Sequence, residues 1–258
     1  MVSTVKGLSS TIQTLKTHAV VVNPSQSKLD HFRYSAGQFK QGFHRVLITG
    51  SDVHDFLSNQ STYDSEKMPV GEFHLASFLD PQGRAEVYGW LMKEAHQYIY
   101  LIPESLKEQG IARLNKFLIS EDVTVEEPVW EEWTFIVGPQ SKDHSGFKGE
   151  LFAESASLTK EPASSVEVIP PEAIELWRGL TGWPSFEGST FKPEIINNNR
   201  LFDLSTTVNK GCYPGQETVS KIYTRRGAAP QRRILLLRLA HEDSLDPFIG
   251  VDLLWQFC

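Results

Sequence analysis

Lys210-Gly211-Cys212-Tyr213-Pro214-Gly215-Gln216-Glu217 is the segment of this chain best equipped for chemistry. Gly211 and Gly215 flank a tight turn, and Pro214-Gly215 is a turn dipeptide that favours positive φ at the glycine. Such a turn holds Cys212 rigidly. Lys210 stands two residues away and more cations follow, a setting that favours a thiolate, the nucleophilic and metal-ligating form of cysteine. Gln216 and Glu217 add an amide and a carboxylate, groups able to read the edge of a polar ring. The plainer reading of the same residues is an inert cysteine buried in a turn, because free cysteine is commonly buried. The sequence leaves both open.

Charge singles out the same region. The 258 residues carry a net charge of −7, yet from Lys210 to Arg238 seven basic residues meet a single acid, Glu217. A basic segment on an acidic body suits a local anion site or a solvated loop next to an arginine-protected strand edge. The acidic total argues against general nucleic-acid binding, which needs a local excess of cations along a phosphate track. The two cysteines, Cys212 and Cys258, exclude a disulfide scaffold and favour a reducing compartment. No apolar run reaches the ~18–20 residues that span a bilayer. The N-terminal stretch lacks the apolar core of a secretory signal.

The elements that must position the motif follow from hydrophobic patterning. Strands are expected at Val20–Asn23, Phe43–Thr49, Glu72–Leu79, Ala85–Met92, Gln97–Ile102, Val123–Val125, Trp133–Val137, Val166–Ile169, Ile234–Leu239 and Val251–Trp255. A hairpin joins the third and fourth around Asp80-Pro81-Gln82-Gly83. One helix is expected after Gly50, with Ser51 or Asp52 as N-cap and Val53, Phe56 and Leu57 on its apolar face. A second begins at Pro103 with Leu106, Ile111, Leu114 and Phe117 or Leu118. A third begins at Pro170-Pro171-Glu172. Residues 139–149 read as a loop, and 182–199 as a turn-rich excursion. Strands interleaved with few helices indicate an α+β fold. Neither a Gly-rich phosphate loop nor a metal-ligand spacing of histidines is present.

At the motif the chain resembles the YgfZ family of folate-binding proteins, whose signature is Lys-Gly-Cys-Tyr-x-Gly-Gln-Glu. Four other segments share the resemblance: Arg45–Asp52 with Phe56-Leu57, Leu79–Arg84, Arg178 with Gly182-Trp183-Pro184, and Arg226-Gly227 with Arg232-Arg233. It spans roughly residues 30 to 240 and implies an α+β body like that of aminomethyltransferase, the T-protein of glycine cleavage. That body would surround a central hole and bind tetrahydrofolate or a one-carbon derivative, with a small C-terminal β-barrel after it. The implied divisions are an N-terminal segment at 1–29, a first folate-binding lobe at 30–130, a second at 131–232 carrying the motif, and an incomplete barrel at 233–258. Trp90, Trp177, Trp183, Phe191 and Tyr213 are candidates for a pterin slot. Arg178, Tyr213, Gln216, Glu217, Arg226 and Glu86 are carried over as folate-binding residues, and Cys212 with Lys210 as the chemically active pair.

The resemblance implies a monomer that supports assembly or repair of iron–sulfur proteins, with client or assembly proteins as partners. It would be cytoplasmic in a bacterium, or mitochondrial in a eukaryote. One cysteine cannot hold a cluster alone, since clusters usually take four ligands. Whether Cys212 attacks a one-carbon unit, touches a cluster with a partner or reduces a partner stays open. Two departures bear on the alternative of a folate-dependent aminomethyltransferase. The strand after Gly83 offers only Glu86 where those enzymes carry an acidic pair. Their second folate-ring carboxylate falls near Leu180. The barrel strands are too few for a closed barrel. A non-catalytic remnant that binds a partner is the third reading.

Overall fold

The computed structural model describes residues 35–188, 191–226, 235–239 and 251–255. The expected strand at 20–23, the N-terminal segment, Arg232, Arg233 and Cys258 lie outside the described residues.

The hairpin anticipated from Asp80-Pro81-Gln82-Gly83 is formed by β2 (Phe73–Leu79) and β3 (Ala85–Lys93). It belongs to a sheet built around β1 (Gly37–Thr49), whose start lies six residues before the expected strand. β4 (Gln97–Ile102), β5 (Thr124–Val125), β6 (Val129–Val137), β7 (Phe147–Leu151), β8 (Glu154–Thr159) and β9 (Glu167–Val168) complete it. The main path runs β2-β3-β4-β1-β6-β8-β7, with β5 and β9 also pairing with β1. Every pair on that path is antiparallel. The sheet curls until its edges meet: Glu72, just before β2, bridges Lys148 of β7, and Lys148 N–H donates to Gly71 O at 2.8 Å. Gly149 permits that approach, for a Cβ there would stand 2.4 Å from Phe73 O. The contact covers part of two otherwise unpaired strand borders.

Aromatic residues line the inside of the curl. Phe39, Phe43, Trp90, Phe135, Phe152 and Phe186 are all buried and in ring contact. Each such side chain contributes about 1.5–3 kcal/mol when fully buried. The pattern in β2 to β4 is buried almost without alternation, because helices cover the other face. α1 (Val53–Gln60) buries Val53, Phe56 and Leu57. Asp52 is its N-cap residue by position but makes no side-chain cap; its carboxylate accepts Asp122 N–H at 2.8 Å instead. α2 (Lys107–Asn115) buries Gly110, Arg113 and Leu114. α3 (Pro171–Thr181) ends at Gly182, whose φ of +71° accepts the left-handed C-terminal position.

Four elements were not legible in the pattern. β7 and β8 occupy part of the stretch read as a loop and the residues beyond it. α4 (Leu201–Ser205) and α5 (Gln216–Arg226) flank the motif. α5 carries Lys221, Arg225 and Arg226, so this part of the basic segment is helix and not loop. β10 (Leu235–Leu239) and β11 (Val251–Trp255) form an antiparallel pair. Among the described residues no helix is long and apolar enough to cross a membrane.

Candidate functional site

The motif lies across two structures that precede it in sequence by more than a hundred residues. The first is the loop after α1. Thr62 and Ser77 exchange backbone and side-chain bonds with the segment entering the motif. Thr62 Oγ1 donates to Ser205 O (2.5 Å), Ser77 and Ser205 hydroxyls pair (2.8 Å), and Thr207 N–H donates to Thr62 O (2.9 Å). Lys210 completes the join. Its Nζ donates to the carbonyl oxygens of Ser58, Ser61 (2.6 Å) and Tyr63 (3.1 Å), and lies 5.1 Å from the Tyr213 ring centre. Lys93 does the same from β3, donating to Ser65 O (3.3 Å) and Glu66 O (3.1 Å). Two buried ammonium groups thus bind the carbonyls of one loop. Burial pulls the Lys210 pKa down to about 8, against the opposing charge of Asp64. Burial pushes Asp64 up, but Lys67 hydrogen bonds and the charges of Lys67 and Lys210 leave it below the usual carboxylate value.

The second support is the hairpin turn. Gly215 has φ +80° and Gly83 has φ +81°. A Cβ on Gly215 would stand 2.5 Å from Asp80 O and 2.7 Å from Gly83 Cα, so the two turns touch backbone to backbone. Asp80 holds its own turn by accepting Gln82 N–H (2.9 Å) and Arg84 N–H (2.8 Å) on Oδ1. Gln216 opens α5 and returns an amide N–H to Lys210 O at 3.3 Å. The loop is therefore pinned at both ends, and Cys212 between the pins is exposed. The buried alternative for this cysteine does not hold.

Other candidate residues fall as follows. The three hydrogen bonds of Lys210 go to main-chain carbonyls, so the structure gives it the role of a clip on the loop. Tyr213 is buried, and burial lifts its hydroxyl to about 12. Glu217 is exposed and pairs with Lys221 one helical turn on (2.6 Å). Arg178 bonds Glu175 through Nε (3.0 Å) and Nη2 (2.7 Å), and Trp183 O through Nη1 (2.9 Å), closing the end of α3. Arg226 is the last residue of α5. Of the aromatic candidates, Trp90, Trp177, Trp183 and Tyr213 are packed into the core, and Phe191 is partly buried against it.

Glu86 departs most from its expected place. Strict alternation along β3 would set it on the face of Tyr88 and Trp90. The β2–β3 register instead slips between Phe78 and Leu79: Val87 faces Phe78, Ala85 faces Leu79, and Glu86 is left over as a bulge. A bulge re-aims a side chain. Glu86 Oε2 lies 3.0 Å from Arg113 Nε on α2. Arg113 is itself fixed by Leu79 O (3.1 and 3.3 Å) and Gln60 Oε1 (3.3 Å), with the Phe117 ring 4.2 Å away. This pair lines an open cleft of about 460 Å³, with Asp80, Arg84, Gln109, Ala112, Lys116 and Pro193 around it. Arg113 and this cleft were not foreseen. The signal was Gln109, Ala112, Arg113 and Lys116 at i, i+3, i+4 and i+7, one face of a helix.

Among the buried side-chain polar atoms without a hydrogen-bond partner in the described residues are Trp90 Nε1, in the aromatic nest, and Asn197 Oδ1, whose amide nitrogen bonds Val219 O on α5. Among the described residues no group of histidine, cysteine, aspartate and glutamate could hold a metal ion.

Comparison with known proteins bears on the family likeness and the fold. No family model matches the chain. An uncharacterised protein of Haemophilus influenzae is 23% identical over 82% of the chain and 75% of its own length. A putative chloroplastic transferase of Arabidopsis thaliana is 23% identical over 81% of the chain, which spans 57% of that protein. The tRNA-modifying protein YgfZ of Shigella boydii is 24% identical over 81% of the chain and 72% of its own length. The crystal structure of glycine cleavage system aminomethyltransferase T from Bartonella henselae superposes with a TM-score of 0.61 at 14% identity, covering 77% of this chain and 66% of that one. In sequence, then, the chain resembles the YgfZ proteins, and its fold is that of the T-protein aminomethyltransferase.

Proposed function

We propose that the chain binds tetrahydrofolate or a one-carbon derivative and supports assembly or repair of iron–sulfur proteins through Cys212. The observation that carries this reading is the exposed thiol on a loop pinned at Lys210 and at Gly215. A structural cysteine needs no such presentation, whereas a thiol that meets a partner's cluster or disulfide must project from a fixed base. The similarity to YgfZ proteins and the T-protein fold support the folate half. The pairing of Glu86 with Arg113 speaks against an aminomethyltransferase, because that chemistry needs a free carboxylate beside the reacting amine.

The test joins two measurements. Cys212→Ala is expected to lose complementation of cells lacking the gene while keeping wild-type stability and calorimetric affinity for folinic acid. Full complementation by the alanine variant would remove the thiol from the function. An absence of folinic acid binding at high micromolar ligand would favour a partner-binding remnant.

A further inference from the structure

The cleft beside the motif is cationic in a specific way. Its lining carries three cations, Arg84, Arg113 and Lys116, against two acids, of which Glu86 is paired with Arg113 and Asp80 accepts the N–H groups of its own turn on Oδ1. Arg113 has a side chain only 2% exposed and is held by four polar contacts, so it forms a rigid floor. Arg84 and Lys116 both line the cleft and are exposed, and neither has an ion-pair partner among the described residues. Gln109 adds an exposed amide about two helical turns before Lys116. The motif is near: Gly215 touches Asp80 and Gly83, and Cys212 lies three residues earlier, within about 11 Å of Gly215 along the chain.

We propose that this cleft is a carboxylate subsite, bound by Arg84 and Lys116 and floored by the Arg113–Glu86 pair. Its ligand class is an oligocarboxylate. The inference rests on the folate reading in one respect, that the oligocarboxylate is the glutamate chain of a reduced folate. Two cations lining one open cleft match a chain of repeated carboxylates better than one carboxylate, because the second charge binds at the effective concentration set by the first. Guanidinium and carboxylate also pair in bidentate geometry. The site differs from the basic run after the motif, to which composition alone would assign the anion.

The experiment is calorimetry with three ligands: 5-formyltetrahydrofolate monoglutamate, its pentaglutamate, and free penta-γ-glutamate. Each is titrated into wild type, Arg84→Gln, Lys116→Gln and the double variant. Wild type is expected to bind the pentaglutamate about five- to tenfold more tightly than the monoglutamate, each variant to lose part of that preference and the double variant all of it. Monoglutamate affinity should fall less than pentaglutamate affinity in every variant. Equal affinity of wild type for both folates, or a preference that survives in the double variant, overturns the subsite. Binding of free penta-γ-glutamate that the double variant loses, with no binding of the monoglutamate, keeps the subsite and overturns the folate reading.

Discussion

Gly83 and Gly215, 132 positions apart, meet backbone to backbone, each in the left-handed region. The contact fixes the motif turn on the β2–β3 hairpin and leaves no room for a side chain. Gly215→Ala is therefore expected to cost roughly 1–2 kcal/mol for the backbone conformation and about 1–3 kcal/mol more for overpacking. Gly71 provides the control, since its φ is +84° but nothing lies within 4 Å of an added Cβ. Gly71→Ala should show only the backbone cost. Urea unfolding of both variants separates the two contributions, and equal midpoints would mean that the glycine contact does not matter.

Lys210 makes stability depend on pH with a defined sign. Its native pKa is about 8, below the ordinary lysine value of about 10.4. Between those values the unfolded chain holds a proton that the native chain has released, so stability rises with pH from about 8. Tyr63 and Tyr213 act oppositely. Burial raises both to about 12, so above pH ~10 only the unfolded chain loses their protons and stability falls. The stability curve should accordingly have a maximum between pH 8 and 10. Lys210→Met should be less stable throughout, since three carbonyls lose their donor, and should lack the rising limb while keeping the falling one. An unchanged rising limb in the variant would assign it to another group, and Lys148, which burial also lowers, is the next candidate.

What could be read beforehand follows from the range of each interaction. The hairpin, β4 and the faces of α1 and α2 are set by patterns within about ten residues, and they appear where the pattern puts them. The glycine-flanked presentation of Cys212 is also local. The partners of Lys210 are different, because the carbonyls of Ser58, Ser61 and Tyr63 are about 150 positions away. Sequence proximity tied Lys210 to Cys212, whereas desolvation requires the ammonium to satisfy its donors in the interior. The orientation of Glu86 was hidden for another reason: one extra residue in a strand exchanges its faces, and no local signal announces a bulge.

Exposure of Cys212 implies that it reacts in the folded protein. With Cys258→Ser as background, a maleimide or an aromatic disulfide should label one thiol per chain without denaturant. Labelling should not shift the unfolding midpoint, because the side chain buries nothing. A thiol that reacts only after unfolding would contradict the presented loop and with it the proposed function.

The Glu86–Arg113 pair separates a structural from a catalytic carboxylate. Glu86 has a side chain 34% exposed and Arg113 one 2% exposed, so the pair lies between the surface and buried regimes. Exposed pairs contribute about 0.2–1 kcal/mol, and stranding a buried partner costs about 3–5 kcal/mol. Glu86→Gln should therefore destabilise by about 1–3 kcal/mol. Arg113→Met should cost more, since Leu79 O and Gln60 also lose their donor. The double variant should recover part of the sum, giving a coupling of about 1 kcal/mol or more. Folinic acid affinity should stay within about twofold in Glu86→Gln, because the bulge aims the carboxylate at α2. A loss of affinity or of one-carbon turnover without a change in stability would put Glu86 back at the pterin and revive the transferase.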